Sequence, residues 1–224
     1  GRMSAQIGGI TVSVDMRGSY PLIRDQGARP SCVACAVSDA HGAGHQLDHG
    51  LSAEYLLYHA AQYMSGGHAG NGLSFDAADL ALQQAGQPHE HEWPYQMVQP
   101  DPWEPPKVGQ TWHGTVQGTG AELTKIFDAL GARSPVVMGL RLVNGFRRVQ
   151  HPPHIVDEAG PAGGRHAVVA VGKGRRPSSP ADDLVLIRNS WGPAWGSDGH
   201  AWLTREYLMQ HLVECRVAVP AKTN

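Results

Sequence analysis

Cysteine is scarce in this chain, with three residues in 224, and Cys32 and Cys35 lie close together, so no disulfide framework is expected and a reducing compartment is favoured. Net charge is scarce as well. A formal value of −2 lacks the electrostatic footprint of a nucleic-acid binder or a polybasic membrane anchor, and neither partner is expected. No apolar run reaches about 18 residues, the length a membrane helix needs. The opening GRMSAQIGG has no charged segment followed by an apolar one, so no signal peptide is read. The expected location is cytoplasmic, or a leaderless domain of a larger or exported protein. Internal repeats are absent at any period, which excludes solenoids and arrays.

Histidine is abundant instead, at thirteen residues. In PHEHEWPY, His89 and His91 alternate with Glu90 and Glu92, a pattern that in an extended segment points both imidazoles one way. No second pair stands at metal-site spacing and no His-Glu-x-x-His occurs, so the cluster reads as an exposed loop and no metal is assigned. His41, His45 and His49 follow a helical stripe and read as the wet face or end of the first helix.

Apolar residues make up 41% of the chain, enough to bury the core of one domain. Their period changes near the middle. Ser31 is placed to cap a helix from about Cys32 to Gln46, Ser52 to cap SAEYLLYHAAQYM, and Gly86 to terminate a helix begun at Ser74. Residues 87–117 carry prolines throughout and read as a long loop. After a helix over residues 121–130, the runs PVVMGLRL, HAVVAVG, DLVLIRN, HAWLT and ECRVAV read as strands, with GRRPSSPADD as an exposed hairpin loop. Helices followed by antiparallel strands define the α+β class. Residues 1–13 are read as an N-terminal extension, its Gly1-Arg2-Met3 start a cloning remnant. A single domain is expected over 14–224, helical over about 14–118 and sheet over about 119–224.

Cys32 is the candidate nucleophile because it opens a helix, where unpaired backbone N–H groups and the positive end of the dipole stabilise a thiolate. Gln26, in an Arg-Asp-Gln-Gly turn upstream, can donate its amide to an oxygen beside that thiol, as an oxyanion hole requires. Cys35 falls one turn into the helix and reads as a packed thiol. The Cys-x-x-Cys spelling suggests redox chemistry only after a thioredoxin-type strand, which is not present. Cys215, in a late strand, reads as structural.

Three segments together, RDQGARPSCVACAV, GGRHAVVAVG and LIRNSWGPAWGSDG, resemble the papain-like cysteine peptidases. His166 and Asn189 follow Cys32 at a spacing near the roughly 130–150 residues of papain and the cathepsins, the asparagine falling just beyond it. The resemblance covers nearly the whole chain. It implies a two-lobed fold, a helical N-terminal lobe and an antiparallel β C-terminal lobe with the cleft between them. It also implies a triad of Cys32, His166 and Asn189, with Trp191 shielding the Asn–His bond from water, and substrate contacts at Asn71, Gly72, Ala167 and Trp191. The implied activity is that of an endopeptidase acting on protein or peptide substrates through an acyl-thioester, with no cofactor. The same triad permits acyl transfer or isopeptide cleavage, and a peptide-binding domain with little turnover is the alternative from another class.

Two departures resemble a bacterial, cysteine-poor branch: Arg29 stands where secreted members carry a disulfide cysteine, and Val33 where an aromatic usually follows the nucleophile. Asn71 stands where the first of two glycines is common. Too few residues stand before Val14 for a helical propeptide, so the expectation is that it was removed or that activity is controlled another way. Arg165, directly before His166, is expected to disfavour the imidazolium by its charge, weakly, from the opposite face of a strand.

Overall fold

The computed structural model describes residues 6–157 and 160–221, with Gln6 and Ile7 described by backbone alone. In chain order its elements are β1 (Gln6–Ile7), β2 (Ile10–Asp15), α1 (Cys32–Gly44), α2 (Ala53–Ala61), α3 (Phe75–Gln84), β3 (Gly114–Gly118), α4 (Leu123–Gly131) and β4 (Val136–Arg141). There follow α5 (Asn144–Arg147), β5 (Ile155–Val156), β6 (Arg165–Arg175), β7 (Leu184–Arg188), β8 (His200–Thr204), α6 (Arg205–His211) and β9 (Leu212–Pro220).

Local chemistry accounts for several element ends. Ser52 Oγ accepts from Tyr55 N at 3.0 Å and Ser74 Oγ from Ala77 N at 3.1 Å, each satisfying a donor at a helix start. Gly86, at φ +67°, closes α3 in the left-handed conformation a helix terminator adopts, its N–H bonding Ala81 O. Helix α1 is buried nearly all round, with Val33, Ala34, Cys35, Ala36, Val37 and Ala40 and the polar Ser38 and His41 all buried. Such a helix belongs inside a molecule, and α1 packs against α2 and α3 on one side and β4, β6 and β9 on the other.

The strands form one sheet in the order β3-β9-β4-β6-β7-β8-β5, antiparallel except for β5 against β8. Strand β2 pairs with the far end of β6, Thr11 opposite Arg175 and Asp15 opposite Gly172. Added Cβ atoms at Gly172 and Gly174 would run into the carbonyls of Val14 and Thr11, so this close crossing requires glycine. The result is a two-lobed α+β molecule, helices α1–α3 on one side and the sheet on the other. Among the described residues no helix is long and apolar enough to cross a membrane.

Some expectations need correction. A boundary at Val14 would cut β2, and Ile10, 1% exposed, is already core. Residues 87–117 end in a strand, β3, rather than continuing as loop. Ser31 occupies the N-cap position of α1 but its hydroxyl caps nothing. His41 does not lie on a wet face: it is fully buried, its Nδ1 2.8 Å from Gln87 Oε1 and its Nε2 3.1 Å from that of His45. PHEHEWPY is a fastener rather than an exposed loop. Glu90 accepts from Arg24 Nη1 at 2.9 Å and Tyr95 N at 2.7 Å, and the buried Trp93 offers its carbonyl to Ser52 Oγ at 2.6 Å.

Candidate active site

Cys32 is the first residue of α1, where backbone N–H groups have no carbonyl partner within the helix. Burial pushes its thiol up from the ordinary value, while backbone N–H groups of Ala167, Val33 and Cys32 itself favour the thiolate. Cys35, 1% exposed, is a core thiol that burial pushes up to about 12. Cys215 is buried as well.

His166 enters from the other lobe. Strand β6 begins beside it, opposite Leu140 of β4, while β7 ends at Arg188, so the antiparallel pair brings Asn189 to the same end of the sheet. His166 Nε2 and Asn189 Oδ1 are 2.6 Å apart. Asn189 Oδ1 also accepts from Ser190 N at 2.8 Å, which fixes the amide oxygen towards the ring, so Nε2 carries the donated proton and neutral His166 keeps Nδ1 free to accept. Burial pushes the imidazole down to about 4; the Asn189 bond opposes this and the charge of Arg147 reinforces it. The cation acting on His166 is therefore Arg147 of α5, not Arg165, which is exposed and lines the cleft.

Aromatic rings close over the pair. Trp191 lies 4.6 Å from His166, centroid to centroid, and the fully buried Phe146 stands edge-on to both. Trp195 donates Nε1–H to Phe146 O at 3.1 Å, anchoring the cage.

Gln26 is 7% exposed and tied to Ser190 and Arg29 at three points: its N–H bonds Ser190 O at 2.8 Å, its Oε1 accepts from Ser190 Oγ at 2.7 Å, and its Nε2 donates to Arg29 O at 2.9 Å. One Nε2 hydrogen remains uncommitted. The same two segments meet again at Asp39 of α1, which accepts from Arg24 Nε at 2.7 Å and Arg188 Nε at 2.6 Å. Burial disfavours the Asp39 carboxylate, but Arg188 and Arg24 outweigh it and hold its pKa below the usual range. One carboxylate thus pins the stretch leading to Gln26 and the strand leading to Asn189.

A cleft of about 360 Å³ opens between the lobes, lined among others by Cys32, Asn71, Gly72, Arg165, His166 and Ala167. Gly72 has φ +133°, a conformation that favours glycine. Asn189 and Trp191 touch His166 but do not line this cavity. Sequence reasoning missed Phe146, Arg147, Ser190 and Asp39; the Asn-Ser-Trp run was a signal for Ser190, but nothing local pointed to the others. Among the described residues, no three His, Cys, Asp or Glu side chains gather into a metal cage. The ring of His89 lies tilted against that of His49, centroids 3.5 Å apart, and 5.3 Å from that of His91, away from the cleft.

Comparison with known proteins places this geometry in a family. The profile of the papain family cysteine proteases matches residues 10–221. Oryzain gamma chain of Oryza sativa subsp. japonica is 30% identical over 185 residues, covering 80% of this chain and 50% of its own length. Cysteine proteinase 2 of Zea mays is 28% identical over 208 residues, covering 89% and 57%. This chain thus spans little more than half the length of these relatives. Among solved structures, xylellain, a cysteine protease from Xylella fastidiosa, superposes with a TM-score of 0.73 at 23% identity, covering 96% of this chain and 88% of its own. A Carica candamarcensis cysteine protease, in complex with E-64, gives 0.67 at 22% identity, covering 94% and 98%. The cysteine at a helix start, the histidine across the cleft and the fold that joins them agree with these matches: the chain belongs to the papain family of cysteine proteases.

Proposed function

We propose that the protein is a cysteine endopeptidase in which Cys32 attacks the scissile carbonyl of a protein or peptide substrate. The observation that carries this reading is the 2.6 Å His166–Asn189 bond under Trp191, in a histidine that lines the same cleft as Cys32. With Nε2–H committed to Asn189, Nδ1 of His166 takes the thiol proton. Burial alone favours the neutral thiol and the neutral imidazole; moving one proton creates opposite charges whose attraction offsets that penalty. The N–H groups at the start of α1 and that of Ala167 favour the thiolate.

Attack forms a tetrahedral oxyanion, which accepts from the Cys32 backbone N–H and the remaining Nε2 hydrogen of Gln26. The imidazolium then protonates the leaving amine, and water, deprotonated by His166, releases the acyl-thioester. Asn71 and Gly72 present backbone to the substrate on one wall and Ala167 on the other, while Trp191 keeps water from the His166–Asn189 bond.

Cys32→Ala is expected to abolish cleavage of a peptide library read by mass spectrometry, with Cys35→Ser retaining most of it. An active-site epoxide should label Cys32 alone. Turnover surviving in Cys32→Ala, or label confined to Cys35, would sink the reading.

A further inference from the structure

Four helices of this protein have serine or threonine at the N-cap, and one behaves differently. Ser52, Ser74 and Thr204 sit in extended backbone, at ψ 108°, 156° and 155°, and each accepts a first-turn N–H through its side chain. Ser31, before Cys32, sits at φ −111°, ψ 13° and caps nothing. Its Oγ lies 2.6 Å from Tyr95 Oη. Tyr95 Oη also lies 2.9 Å from Gln26 O, a carbonyl that can only accept. The single phenolic proton therefore goes to Gln26, and the proton between the hydroxyls is donated by Ser31. Ser31 is fully buried; besides this bond its Oγ has a long 3.4 Å approach to Arg29 O and a hydrogen bond to the buried Cys35 sulfur.

We infer that Tyr95 is a positioning residue that holds the Ser31 hydroxyl off the start of α1, keeping the first-turn N–H groups free for the Cys32 sulfur, and fastens Gln26 to that helix start. This rests on the peptidase reading of Cys32 and adds a residue to it. An N-cap side chain accepts from the second or third residue of its helix, here Val33 or Ala34. Val33 N–H is one of the groups favouring the thiolate, so a Ser31 cap on Val33 would compete with the sulfur. The span between Gln26 and Ser31 belongs to no helix or strand and turns through Gly27 at φ +58°. Across that gap Tyr95 ties the two oxyanion donors together. Tyr95 is itself fixed, its N–H donating to Glu90 at 2.7 Å and its ring lying 5.2 Å from the Arg29 guanidinium carbon.

The test is the pH dependence of iodoacetamide labelling at Cys32 in the wild type, Tyr95→Phe and Tyr95→Phe/Ser31→Ala. Phenylalanine keeps the ring, its place beside Arg29 and the backbone bond to Glu90, so the variant retains its fold, which thermal melting checks. Freed from Tyr95, Ser31 swings into the cap. One hydrogen bond to a charged group is then lost, so the thiol pKa of Tyr95→Phe should rise by about one unit, with about tenfold slower labelling at a pH below both values. kcat should fall while KM stays within about twofold. Removing the competing hydroxyl in the double variant should restore most of the labelling. An unchanged labelling profile in Tyr95→Phe overturns the proposal, as does a double variant no better than the single one. Labelling is read on the thiol without substrate, so an absence of peptide cleavage in the wild type would defeat the peptidase reading and leave this measurement valid.

Discussion

In the proposed mechanism Gln26 combines two tasks in one amide: Oε1 and one Nε2 hydrogen hold it to Ser190 and Arg29, and the second hydrogen is left for the oxyanion. Losing one oxyanion donor costs about 10²–10³ in turnover. Gln26→Ala should therefore lower kcat by about that factor while iodoacetamide still labels Cys32. Ser190→Ala, which removes only the tether, should cost less than about tenfold. Equal losses in the two variants would make Gln26 a structural residue. As candidates, Cys32, Gln26 and Asn189 were legible because each sits in a short run whose chemistry is local: a helix start, a turn, an Asn-Ser-Trp-Gly segment. Phe146, Arg147 and Tyr95 were not, because their partners are far away in sequence. No period or spacing in NGFR points to His166, yet α5 supplies both the ring and the cation that act on it.

At the level of elements, the loop before α1 is joined to α2 by charge where secreted relatives were expected to use a disulfide. Arg29 makes a two-pronged pair with Glu54, at 2.7 and 2.9 Å, and Glu54 is fully buried. Trp103 Nε1 and Gln96 N complete the shell of that carboxylate, so the proline-bearing strap after α3 is fastened to the same point. Breaking one side of a buried pair costs about 3–5 kcal/mol, because the other charge is left without its partner, whereas replacing both sides with apolar groups is often close to neutral. Arg29→Met should lower stability by about that amount in urea unfolding, and Arg29→Met/Glu54→Met should recover most of it. A double variant as unstable as the single would mean that the bonds to Trp103 and Gln96, rather than the ion pair, hold the strap. The helix ends at Ser52, Ser74 and Gly86 were legible because capping is local. Strands β2 and β3 were not, since their short runs pair with β6 and β9 much later in the chain. The histidine stripe was misread for the same kind of reason: i, i+4 spacing assigns a face to His41 and His45, but whether that face is wet depends on what packs there. Here Gly114 and Gln87 come against His41, and the carbonyl of His113 against His45.

Across the whole molecule, three buried histidines, His41, His166 and His200, are each pushed down to about 4, with burial the first cause in all of them. They belong to different parts of the fold: α1 within the helical lobe, the start of β6 at the cleft, and β8 in the sheet. In the unfolded chain each would titrate near 6.5. Between roughly pH 6.5 and 4 the unfolded chain therefore binds protons that the folded protein refuses, and stability must fall as pH falls through that window. Above it the histidines are neutral in both states and contribute no slope. For His41 alone the loss between pH 7 and pH 4.5 is on the order of 2 kcal/mol. The close approach of His45 acts in the same direction, because a charge on either ring disfavours one on the other. His41→Asn keeps an amide that can donate to Gln87 and removes the titrating group. Urea unfolding at pH 7 and pH 4.5 should show a steep loss of stability for the wild type and a loss smaller by about 2 kcal/mol for the variant, whatever the substitution costs at pH 7. Equal losses in the two proteins would mean that His41 takes up a proton in the folded state without resistance, and that acid sensitivity is set by the cleft and the sheet alone.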